Sequence, residues 1–197
     1  KWSPERIWNE WVYATSRMDP NEIGVLVRAL GSALRRAGSA GLYSEIANRL
    51  HQSVLPVEER LAIVAVFQFA ATPESVQHLL EYAQAVELAA SGLNLPANEQ
   101  AVLRRSLEAI LMVAEKRIDG ARNWAISGVL ESAWRAISVT DASRTQSAVS
   151  QAIMYLGKPE AIETLIESLR QGNVSATGAA IALSSIAQLR TNESVPV

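Results

Sequence analysis

Two histidines, His51 and His78, are the main candidates for chemistry in this chain, and there is no cysteine. His78 follows Glu74 by four residues and precedes Glu81 by three, which puts an imidazole and carboxylates on one helix face. A carboxylate-bridged helical metal centre takes Glu-x-x-His pairs from two helices, and a second pair is missing. These residues therefore read as polar positions on a helix surface, and neither metal nor cofactor is expected. A Ser-His-acid arrangement stays open, because triads assemble in space. No Gly-x-Ser-x-Gly elbow or glycine-rich phosphate loop supports one. The expectation is a protein that is not an enzyme, with no catalytic residues to name.

Binding chemistry is better represented. Arg28, Arg35, Arg36, Arg60, Arg104, Arg105 and Arg144 offer planar guanidinium groups suited to bidentate contact with carboxylate or phosphate. Surface arginines paired to neighbouring glutamates are the plainer reading of the same residues, and Arg144 also reads as a link between adjacent structural units. Trp2, Trp8 and Trp11 crowd the start, with Tyr13 beside them. Ile7, Trp11, Ala14 and Met18 make one apolar stripe, which Trp8 and Val12 widen. Such a stripe either packs on the next helix or meets a partner, an upstream segment or a second copy. Trp124 and Trp134, ten residues apart, read as core and inter-repeat packing.

These side chains sit in a chain of 197 residues and 21.3 kDa, 49% hydrophobic and 19% charged, with a formal charge of −2. That is enough to bury a core, and too apolar for a disordered chain. The near-neutral balance argues against a general nucleic-acid or membrane-surface binder. The absence of cysteine excludes disulfide scaffolds and cysteine-ligated metals. The longest apolar run, Leu61 to Ala71, is too short to span a bilayer. Arginine outnumbers lysine 15 to 3, as in a GC-rich genome. The chain starts at Lys1 rather than Met, so a processed or trimmed piece of a larger protein is expected. A cleaved signal peptide fits as well, leaving cytoplasmic and exported locations open. The tail 189–197 reads as a fraying end.

The apolar spacing is helical almost throughout, as in Ile162, Leu165, Ile166 and Leu169. Ser3-Pro4-Glu5, Thr72-Pro73-Glu74 and Lys158-Pro159-Glu160 read as helix starts, since proline suits the first turn and glutamate its positive end. Asp19-Pro20, Leu55-Pro56 and Asp141 read likewise. Gly38, Gly92, Gly120, Gly157 and Gly172 read as stops. The punctuation predicts ten helices in five hairpins. First helices fall over 4–18, 42–53, 74–91, 121–137 and 159–171. Second helices fall over 20–36, 56–71, 98–118, 140–156 and 174–190. Strand signals are nearly absent. Pro-Glu-x-(Ile/Val) recurs at Pro4, Pro73 and Pro159; with Tyr43 and Ala121 the phases step by about 33 to 45 residues, the period of helical-hairpin repeats.

Asp141-Ala-Ser-Arg144, Ala148, Ala152 and Leu156-Gly157, followed by Pro159-Glu160-Ala161-Ile162 and Leu165, resemble HEAT repeats. Gly178 to Ile186 looks like one more second helix of that kind. The likeness is good over 141–190, fair over 56–83 and poor elsewhere, and 84–98 adds an extension. It implies an all-α, right-handed α-solenoid of about five hairpins, HEAT/ARM-like, forming a single domain over 1–197. In that family the second helices line the concave face. Here the first helices hold 6 basic and 10 acidic residues and the second 10 basic and 7 acidic, so a basic concave face is expected from Arg28, Arg35, Arg60, Arg104, Arg105 and Arg144. The implied function is a protein-interaction scaffold or adaptor holding a protein or peptide there. Alternatives are a regulatory or lyase-like HEAT domain of a larger enzyme, and a HEAT-like nucleic-acid-binding protein or DNA glycosylase, which the acidic balance disfavours. Association of two copies through Trp2, Trp8 and Trp11 is a further expectation.

Overall fold

Local capping chemistry sets several of the helix ends in the computed structural model, which describes residues 2–14, 20–90, 94–118 and 121–193. Ten α-helices follow in order: α1 Pro4–Ala14, α2 Pro20–Ala37, α3 Ala40–Leu50, α4 Val57–Ala70, α5 Pro73–Ala89, α6 Ala97–Glu115, α7 Ser127–Ile137, α8 Ser143–Leu156, α9 Pro159–Gln171 and α10 Ala176–Glu193. Among the described residues the structure is all-α apart from a short ladder, in which β1 (Arg117–Ile118) pairs antiparallel with β2 (Ala121–Arg122), and a 3-10 turn. Ser39 accepts from the Leu42 N–H at the start of α3. Thr72 and Ser75 satisfy each other's backbone N–H groups at the start of α5, a reciprocal cap. Pro159 and Glu160 open α9, and Gly172 in the left-handed region closes it.

Two expectations need correction. No single helix covers 121–137: the chain passes through the ladder and a 3-10 turn at Trp124–Ile126 before α7 begins. Likewise α6 ends at Glu115, short of 118, because residues 117–118 are drawn into the ladder. Met18, Asp19, Gly92, Gly120 and residues 194–197 of the tail lie outside the described residues, while α10 runs on to Glu193.

Contacts gather into two units, Lys1–Tyr82 with Leu95–Ala109, and Ala83–Asn94 with Ile110–Val197, so the dividing line runs through α5 and α6. In the first, α1 packs on α2, α3 on α4, and α2 on α4. The α2–α4 contact is close: a Cβ on Gly31 would stand 2.5 Å from the Phe69 Cβ and 2.8 Å from the Val66 carbonyl oxygen. Trp8, Trp11, Leu30, Leu34, Ile46, Ile63 and Phe67 fill this core. In the second unit α7 packs on α8, α9 on α10, α7 on α9 and α8 on α10. Its core includes Leu130, Trp134, Val149, Ile153, Leu156 and Leu165. No described helix is long and apolar enough to cross a membrane.

Candidate functional site

The arginines meet different fates. Arg28 and Arg36 are exposed on α2, and Arg144 is exposed at the start of α8, in the other unit. Arg104 stands out from α6, 3.8 Å from Glu108. Arg35 is spent on the end of α4: its Nε donates to the Ala70 carbonyl at 2.8 Å and another guanidinium nitrogen to the Phe69 carbonyl. Arg105 donates to Gln68 Oε1 at 2.7 Å, so Arg35 and Arg105 converge on the last turn of α4. That brings two of the expected residues together, on a helix end.

Arg60 is buried, with 2% of its surface exposed. Three groups hold it. Glu99, in the first turn of α6, accepts bidentately at 2.6 and 2.9 Å. The Leu50 carbonyl at the end of α3 accepts at 2.9 Å, and the Tyr82 hydroxyl of α5 at 2.8 Å. Tyr82 in turn donates to Glu99 Oε2 at 2.9 Å. The hydrogen bonds from Arg60 hold the Glu99 carboxyl below its usual range, against the opposing effect of burial, and the bond to Glu99 raises the guanidinium further. Burial pushes the Tyr82 phenol well up. The His51 ring meets Tyr82 edge-on with centroids 5.4 Å apart. His78 binds Glu81 at 2.9 Å and stacks on Phe67. Among the described residues no group of three or more His, Asp or Glu side chains is placed to hold a metal ion.

The aromatic residues divide as well. Trp8 and Trp11 are buried and stacked, centroids 6.3 Å apart, and Trp8 Nε1 donates to Glu45 at 2.7 Å. Trp2 is half exposed, with the Arg6 guanidinium 4.5 Å above its ring. Trp134 is core and donates to Ser168 at 3.2 Å. Trp124 is 53% exposed, which corrects its reading as core. Its 3-10 turn lies beside the end of α8, where Nε1 donates to the Leu156 carbonyl at 3.3 Å.

A cleft of about 460 Å³ opens in the second unit between α7 and α9. Glu160, Glu163 and Glu167 line it from α9, with Arg135 and Ser138 from α7. The glutamates fall at spacings of three and four, one face of the helix. Arg170 holds Glu163 at 2.8 Å and stands 3.8 Å from Glu167. Arg135 of α7 donates to the Thr164 hydroxyl of α9 at 3.3 Å. The visible signal was the acidic excess of the first helices. No family model matches the chain, and neither the curated proteins nor the solved structures contain a match.

Proposed function

We propose that this chain is a HEAT-type, right-handed α-solenoid that works as a non-catalytic protein-interaction scaffold. The solenoid reading is supported by five long-range hydrogen bonds. Trp8 and Glu45 are 37 residues apart, Arg35 and Ala70 35, Arg105 and Gln68 37, Arg122 and Leu156 34, and Trp134 and Ser168 34. Each bond joins groups about one repeat apart, as expected of units that touch only their neighbours. Hairpin-to-hairpin packing of second helix on second helix, α2 on α4 and α8 on α10, supports the same reading.

The cleft between α7 and α9 carries the functional reading, because it joins the first helices of two successive hairpins in one concave, water-accessible surface. This moves the binding surface from the arginines of the second helices to the first helices. Three glutamates against Arg135 and Arg170 favour a protein segment rich in Lys or Arg. The test is titration of the full chain with Lys/Arg-rich peptides at low and moderate salt. Salt-sensitive saturable binding lost in Glu160→Lys/Glu163→Lys is expected. Binding that survives both substitutions removes the cleft from the proposal.

A further inference from the structure

One of the two histidines, His51, lies beside the network of the buried arginine. His51 directly follows Leu50, whose carbonyl accepts from Arg60 Nε at 2.9 Å. Its ring edge meets Tyr82, the residue that bonds to both Arg60 and Glu99. One imidazole therefore adjoins the network twice, through its backbone at the end of α3 and through its ring on α5. The charged and titratable groups facing it are Arg60 from α4 and Glu81, His78 and Tyr82 from α5. On α6 the relevant group is Glu99, which Arg60 and Tyr82 already engage.

We propose that His51 makes the Arg60–Tyr82–Glu99 network a proton-responsive catch, which loosens the first turns of α6 from α3, α4 and α5 when the imidazole becomes charged. Arg60 keeps its charge at any relevant pH, so a second cation close by repels a group that has no room to withdraw. His51 keeps an exposed side, and where its ring lies against Tyr82 partial burial holds the imidazole below its ordinary range; Glu81 works against this, while Arg60 and His78 add to it. The folded state thus takes up this proton less readily than the unfolded state. The catch is closed above the ordinary imidazole range and weakens as pH falls through it.

Hydrogen exchange on the full chain across pH 7.5 to 5, corrected for intrinsic rates, tests the catch. A several-fold loss of protection is expected in the first bonded turns of α6, with α8 and α10 as internal references. His51→Gln should abolish the loss. Glu81→Gln, which removes the carboxylate favouring the charged ring, should move the midpoint to lower pH. Protection in α6 that does not change with pH, or that falls equally in wild type and His51→Gln, overturns the proposal. A loss over the whole chain that includes the reference helices does the same. Should His51→Gln fold poorly, the midpoint shift in Glu81→Gln decides alone: no shift overturns the proposal.

Discussion

Arg60 shows how much one side chain can be asked to do. Its guanidinium replaces water with a carboxylate, a phenol and a backbone carbonyl from three helices. Such a pair gains little over well-packed apolar residues, yet removing one partner leaves a buried charge uncompensated. Glu99→Ala is therefore expected to cost about 3 kcal/mol of unfolding free energy, read from urea titration. The double variant Arg60→Met/Glu99→Leu should recover part of that loss, because no orphaned charge remains. The pH dependence follows from the same groups. The Glu99 carboxyl is held low in the folded state, so its stabilisation is present above the ordinary carboxyl range and is lost as pH falls through the folded value. Tyr82 is held high, so its contribution is present below the ordinary phenol value, about 10, and is lost as pH rises beyond it. Tyr82→Phe should flatten the alkaline limb of a stability–pH profile and, because its hydroxyl also helps Arg60 hold Glu99 low, weaken the acid limb without abolishing it.

Helix ends in this molecule are finished by distant side chains. Two second helices, α4 and α8, end in a left-handed residue, Ala71 and Gly157 respectively. In both, an arginine roughly one repeat earlier donates to the last carbonyls: Arg35 to Phe69 and Ala70, Arg122 to Tyr155 and Leu156. A cation there also meets the negative end of the helix dipole. The start of α8 has the complementary arrangement. Ala142 at the cap position offers no side-chain acceptor, and Glu87 of α5 accepts from the Arg144 and Thr145 N–H groups at 2.7 and 2.9 Å and from the Thr145 hydroxyl. Glu87→Ala removes this cap and should cost about 1–2 kcal/mol in thermal unfolding. Gly31→Ala tests the α2–α4 contact, since the added methyl forces apart backbone that has no slack. A loss of about 1–3 kcal/mol is expected, from the usual cost of overpacking. A neutral Gly31→Ala in urea titration would mean that α2 and α4 pack less closely than described.

Over the whole chain, contacts divide into two units, and the Arg60 network belongs to one of them. Stability in repeat-built chains is roughly a sum of local terms and neighbour interfaces. Glu99→Ala is thus expected to lower the melting of the first unit more than that of the second. Calorimetry should show the unfolding endotherm broaden or split, and a uniform shift of one sharp transition would argue that the chain unfolds as a single cooperative block.

The sequence by itself determined the helices. Proline and glutamate at their starts, glycine after α2, α8 and α9, and apolar spacing near 3.6 residues all act within a turn or two, so they are legible in a short window. The same local chemistry marks the one misread segment: Asp119-Gly120 is a hairpin signal lying between two short flanks that pair as a ladder. Tertiary structure alone decided which arginine is buried. Nothing in Glu58-Glu59-Arg60 separates that residue from Arg104 or Arg105, because its partners lie 22 and 39 residues along the chain. The assignment of Trp124 to the surface and Trp134 to the core had the same cause. So did the cleft between α7 and α9: concavity depends on how two helices, each unremarkable in sequence, stack side by side.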